Sequence, residues 1–338
     1  MRTPGLVDLQ VNGFAGVDFN DAGVTADAFD HACEAALRTG VTTFLPTLIT
    51  ATPQTLEARL AALDAAVAGS RLGRLMCPGY HLEGPFLNPA PGFRGCHPHE
   101  AMTAPDAGLI ERLARVARRP ILLVTCAPEL EGGPAFVRAL TDAGRVVAIG
   151  HSNLNFLQAR EAAQAGATLS THLGNGLAQE MRKLDNPIFA QLAEDRLAAC
   201  LIADGVHLPP EAVRVLIRAK GVDRAILVTD ATAGAAAPEG DYTLGALTIR
   251  RMADGSVRDP ATGGLAGAAL TLDQAVRNVV AWGIVDVAAA AAMAGAHPLA
   301  ALAPAFARFG VEVAQGEVEW TDDLRVATAR VGDVEIAA

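Results

Sequence analysis

Apolar residues follow two rhythms along this chain. Short, nearly unbroken apolar runs bounded by Gly, Pro or polar residues alternate with longer stretches in which apolar positions recur every three or four residues. The first pattern predicts strands covered on both faces, the second amphipathic helices. Eight strands are predicted, at Leu6–Val11, Val41–Leu48, Arg74–Leu82, Ile121–Cys126, Arg145–Ile149, Thr168–His172, Ala198–Ala203 and Ala225–Thr229. Helices are predicted between them at Thr25–Arg38, Thr55–Ala68, Asp106–Ala117, Pro134–Ala143, Phe156–Ala165 and Pro210–Ala219, with a less regular one at Pro187–Glu194. Strict alternation of strand and helix gives an α/β fold with a parallel sheet, and eight units allow closure into a (β/α)8 TIM barrel.

After the eighth strand the pattern changes. Asp241–Arg258 carries Tyr242, Leu244, Leu247, Ile249 and Val257 between glycine turns, which predicts a hairpin inserted before a last barrel helix at Leu270–Trp282. The runs Gly316–Trp320, Leu324–Ala329 and Val331–Ile336 predict a small, reduced β appendage. The expected organisation is a barrel over residues 1–305, including the insertion near 241–258, and a C-terminal β segment over 306–338. At 338 residues the chain has room for one barrel of roughly 250 residues and these additions.

Several polar residues stand where this pattern makes polarity costly. Glu83, His151, His172, His207 and Asp230 each fall at or just beyond the end of a different predicted strand. In a barrel those ends open on one mouth, so the five side chains converge. Two imidazoles and a carboxylate suit a borderline divalent metal with one position left for water. The first strand ends Asp8-Leu9-Gln10-Val11-Asn12, and the amides of Gln10 and Asn12 are poor ligands where a His-x-His pair would hold a second ion, so one metal is expected. His31, His99 and His297 read as structural or solvated, His81 as a supporting residue, and Arg118 and Arg119 as a solvated end of the opposite barrel face.

Composition narrows the function further. A formal charge of −10 speaks against a nucleic-acid or anionic-membrane surface, so an anionic substrate must meet local donors. The five cysteines form no CxxC pair, which points to a reducing compartment. No signal-like segment and no apolar run of about 18 residues stands out, so a cytoplasmic enzyme is expected.

The motifs, taken in order, resemble those of the N-acetylglucosamine-6-phosphate deacetylase family of amidohydrolases. They are Gly5-Leu6-Val7-Asp8 with Asn12-Gly13, His81-Leu82-Glu83-Gly84-Pro85-Phe86 with Gly95-Cys96-His97, and Gly150-His151-Ser152-Asn153. Thr171-His172-Leu173, Ala203-Asp204-Gly205-Val206-His207, Val228-Thr229-Asp230-Ala231-Thr232 and Leu265-Ala266-Gly267 follow. The resemblance implies that Glu83, His151 and His172 bind one divalent ion, zinc first, with iron, manganese or nickel also compatible. It implies that Asp230 is general base and then general acid, that His97 contacts the substrate carbonyl, and that Cys96 is among the substrate-binding residues. Asn175, Gly176 and His207 would face the sugar and its phosphate, and Leu265, Ala266 and Gly267 the acetyl end. A homodimer acting on a small N-acetyl amino sugar is the family expectation.

Two departures from the family pattern stand out. The residues after His172 read Gly174-Asn175-Gly176-Leu177, and only Arg182 or Lys183 could supply the arginine that reaches a neighbouring subunit's phosphate in the family. The chain also begins almost at the first barrel strand, where the family has a preceding β segment. A related hydrolase of an unphosphorylated N-acyl sugar or small N-acyl amine is the alternative, and an inactive sugar-binding barrel a second one, although a binder needs no acid/base group.

Overall fold

The computed structural model describes all 338 residues. Eight parallel strands form one sheet in chain order: Leu6–Val11, Val41–Ile49, Tyr80–Glu83, Ile121–Cys126, Val146–Ile149, Leu169–Ser170, Ala198–Leu201 and Ala225–Leu227. The ends meet at a parallel bridge between Val11 and Ala231, where the Ala231 carbonyl accepts from the Asn12 and Gly13 amides at 2.7 and 3.2 Å. The predicted α/β barrel is the observed fold. Strands such as Ile121–Cys126 are buried at every position because helices cover one face and the barrel interior the other.

Helices begin where the sequence supplies caps. The Thr25 hydroxyl accepts from the Ala28 amide at 3.2 Å ahead of Ala26–Arg38, and Asn155 and Gln158 form a capping box ahead of Phe156–Ala165. The third strand starts later than expected, because Gly73–Met76 forms a helical turn instead. The sixth is shorter than expected and ends two residues before His172.

The insertion is a four-stranded antiparallel sheet rather than a hairpin: Gly240–Leu244, Leu247–Arg251, Ser256–Arg258 and Leu265–Ala268. Leu265–Ala268 joins by pairing antiparallel with Ser256–Arg258, and Ile49, Leu244, Ile249, Val257 and Ala266 form a small core of their own. The appendage begins at Gly316, since residues 296–309 are helical, and it recruits Arg2–Pro4 against Gly316–Trp320. The expected boundary at 305/306 therefore falls inside a helix, and both chain ends share the small sheet. Residues 287–309, in two helices, form one apolar stretch long enough by composition to cross a membrane, contrary to the expectation of none. Its second helix, Ala296–Phe309, packs its Pro298, Leu302 and Ala305 into the core.

Candidate active site

The side chains singled out at the strand ends meet in one cavity of about 540 Å³ at the C-terminal mouth of the barrel. Its lining includes Glu83, Cys96, His97, His151, His172, Asn175, Gly176, His207, Asp230, Leu265 and Gly267. Ala266 lies between the last two, but strand alternation turns its methyl into the insertion core, so it cannot face a ligand through its side chain. Arg182 and Lys183 do not line the cavity; both are exposed, and Arg182 donates to the Asn153 carbonyl at 3.2 Å. The lining cation is instead Arg258 of the insertion.

Glu83, at the end of the third strand, is the hub. Its Oε1 lies 2.9 Å from His172 Nε2 and 3.3 Å from His151 Nε2, while Oε2 lies 3.8 Å from His97 Nε2. Burial alone would raise its carboxyl, yet the bonds from His151 and His172 outweigh that and hold it well below the usual range. Burial likewise opposes a charged His172, but its bond to Glu83 prevails and raises it. One ligand atom each from Glu83, His97 and His151 falls within 4.8 Å of the others, and His172 touches the same Glu83 oxygen.

Four of the imidazoles are oriented from behind, whereas His172 Nδ1 is buried without a partner. His151 Nδ1 lies 2.7 Å from the Phe93 carbonyl, which fixes the proton on Nδ1 and frees Nε2 for the cavity. His97 Nδ1 pairs with the Thr50 hydroxyl at 2.9 Å, and burial lowers its pKa to about 3, so it stays neutral. His207 Nδ1 is 2.6 Å from Asp204, whose other oxygen accepts the Val206 and His207 amides at 2.8 Å. His81, as expected, supports from below: it bridges Thr125 and Thr47 hydroxyls at 2.8 and 3.3 Å. Burial pushes the Cys96 thiol up to about 12, so it stands protonated beside His97.

Asp230 sits three residues beyond the eighth strand. Its Oδ1 accepts from Gln10 Nε2 at 3.0 Å and from Asn12 Nδ2 at 2.7 Å. Burial first, then the charge of Glu83, raises its pKa to about 6. His151, His172 and Asp230 all hold positive φ, at 51°, 29° and 53°. Non-glycine residues adopt this region at a cost, and three in one cavity mark a site where orientation outweighs backbone comfort.

The donor set fits a divalent ion: two imidazole nitrogens converge on a deprotonated carboxylate, each held in the required tautomer or by the neighbouring charge. Sequence reasoning missed the second layer, Thr50 and the Phe93 carbonyl, because both lie on loops whose course no periodicity reveals. It also missed Arg258, Asp259 and Thr262, which reach the cavity only because the insertion folds back over the mouth.

Known proteins resemble the chain in sequence and fold. Residues 1–239 match the amidohydrolase family. The chain is 35% identical over 295 residues to the N-acetylgalactosamine-6-phosphate deacetylase of Escherichia coli O157:H7, covering 87% of this chain and 76% of that protein. It is 32% identical to the N-acetylglucosamine-6-phosphate deacetylase of Lysinibacillus sphaericus, covering 82% of this chain and 70% of that one. The structure of the Mycobacterium smegmatis N-acetyl-D-glucosamine-6-phosphate deacetylase in complex with N-acetyl-D-glucosamine-6-phosphate superposes with a TM-score of 0.86 at 31% identity, over 97% of this chain and 85% of that one.

Proposed function

This chain belongs to the amidohydrolase family, and from that premise we propose that it hydrolyses the N-acetyl group of N-acetylglucosamine 6-phosphate, releasing glucosamine 6-phosphate and acetate. The observation that carries the reading is the meeting of His151 and His172 on one oxygen of Glu83, in the same cavity as Asp230. Glu83, His151 and His172 hold one divalent ion, zinc first among the compatible ones. Such an ion supplies Lewis acidity toward the amide carbonyl and lowers the pKa of water from about 15.7 toward 7.

The protein's own groups do the rest. Asp230 Oδ2, which makes no hydrogen bond within the chain, takes the proton of the attacking water while Oδ1 stays clamped by Gln10 and Asn12. His97, neutral and backed at Nδ1 by the Thr50 hydroxyl, lines the cavity, and in its Nε2–H tautomer it hydrogen-bonds the carbonyl oxygen as negative charge develops there. Asp230 then protonates the amide nitrogen, because an amine leaves far more readily than an amide anion. Cys96, Asn175, Gly176, His207, Leu265 and Gly267 shape the sugar's seat.

A cytoplasmic homodimer completes the reading. Phe156, Leu157, Leu184 and Phe189 expose apolar surface, and the Phe156 amide donates to Asp185 at 2.9 Å, which draws residues 156 and 184 together. The E. coli relative makes the 4-epimer the substrate to compare. The test is acetate release by zinc-loaded protein from N-acetylglucosamine 6-phosphate, N-acetylgalactosamine 6-phosphate and N-acetylglucosamine. The proposal expects the first to have the highest kcat/KM, and equal turnover of the unphosphorylated sugar would refute it.

A further inference from the structure

The first barrel strand alternates apolar Val7, Leu9 and Val11 with polar Asp8, Gln10 and Asn12, and the polar three are only 1%, 2% and 2% exposed. Asp8 and Gln10 lie two residues apart in the strand and Asn12 just beyond its end, past an irregularity in its pairing with the second strand. Each reaches residue 229 or 230 of the eighth strand's end. Asp8 Oδ2 accepts from the Thr229 hydroxyl at 2.6 Å and Oδ1 from the Thr229 amide at 3.3 Å. The same Thr229 hydroxyl accepts from the Ala231 amide at 3.0 Å, bracketing the positive-φ turn at Asp230. Gln10 Nε2 donates to Asp230 Oδ1 and, at 3.1 Å, to Glu83 Oε2, and Asn12 Nδ2 donates to Asp230 Oδ1.

We infer that Gln10 and Asn12 are positioning residues: their amides clamp Asp230 by Oδ1, so that only Oδ2 is free to exchange the reaction's proton, and Gln10 ties that carboxylate to Glu83. This rests on the reading of Asp230 as the proton carrier. The geometry argues against a packing role. Asn12 cannot turn its amide over, because Oδ1 would then face a carboxylate oxygen at 2.7 Å. In the orientation it keeps, its own Oδ1 is buried without a partner. A residue kept for packing alone would not leave a carbonyl unpaired in the interior, since an apolar side chain of that shape avoids the loss. Gln10 spends its two amide hydrogens on two different carboxylates, which holds both in register across the cavity. The pair that makes poor metal ligands thus makes good donors.

The test uses zinc-loaded full-length protein carrying Asn12→Leu or Gln10→Met, which keep bulk and remove the donor, with Asn12→Ala as a second variant should Asn12→Leu fail to fold. Metal content, melting temperature, kcat, KM and the solvent deuterium isotope effect on kcat are measured for each, with Asp230→Asn alongside. Loss of the clamp lets the carboxylate swing by a fraction of an ångström or more, for which a fall in kcat of about 100-fold is expected. In the Asn12 variants KM, zinc content and melting temperature stay near those of the parent. Gln10→Met, which also releases Glu83, is compared per bound zinc. In all of them the isotope effect rises as proton transfer becomes slower. Unchanged kcat, or kcat falling only in step with zinc content or melting temperature, overturns the inference while an inactive Asp230→Asn leaves the reading of the site standing. A fully active Asp230→Asn overturns both.

Discussion

Gly176→Ala probes how tightly the ion-binding imidazoles are held. Gly176 has φ +61°, and a Cβ there would lie 2.6 Å from His151 Nδ1 and 2.7 Å from Cε1. Two costs follow and can be separated. The left-handed backbone costs an L-residue about 1–2 kcal/mol of stability. The clash forces the His151 ring to retreat, which breaks the 2.7 Å bond from Nδ1 to the Phe93 carbonyl. Loss of such backing lowers metal affinity about 10–100-fold, or about 1.4–2.8 kcal/mol. Gly132→Ala is the matched control, because Gly132 has φ +77° with nothing within 4 Å of the added methyl. Both variants should unfold at lower denaturant, whereas a competition titration with a chromogenic chelator should show weakened zinc binding only in Gly176→Ala. Equal zinc affinity in the two variants would refute the claim that His151 is held for the ion.

His172→Asn should lose the ion, whereas His97→Asn should retain it and lose mainly kcat, by about 10²–10³-fold as for a missing oxyanion donor; metal analysis after gel filtration, paired with steady-state kinetics, checks both. Activity should also depend on the state of Asp230. Burial raises its pKa to about 6, and the reaction needs the deprotonated form, so log kcat/KM should rise with pH to a plateau above that value. A bound cation stabilises the carboxylate and moves this limb to lower pH, never higher. A kcat/KM profile that climbs through pH 8 instead would assign the limb to another group.

The fold was legible because its signal is repeated. Unbroken apolar strands such as Ile121–Cys126 and amphipathic helices such as Phe156–Ala165 appear within a residue or two of their expected bounds. The strand-end polar residues were legible for the same reason: a barrel sends every strand end to one mouth, so Glu83, His151, His172, His207 and Asp230 needed no tertiary information to be grouped. Elements fixed by tertiary partners were not. Leu265–Ala268 reads as a loop until Ser256–Arg258 pairs with it, and Arg2–Pro4 has no strand pattern of its own without Gly316–Trp320. Gln10 and Asn12 were visible as amides, but their value as donors depends on Asp230, some 220 residues away along the chain.

The central claim is that Glu83, His151 and His172 hold the ion while Asp230 moves the proton. It is tested most directly by measuring zinc stoichiometry and acetate release on the same preparations of Asp230→Asn and Glu83→Gln. Asp230→Asn should carry the parent's zinc and release acetate more slowly by several orders of magnitude, and Glu83→Gln should have lost both. Full activity in the first, or full zinc in the second, would contradict the account.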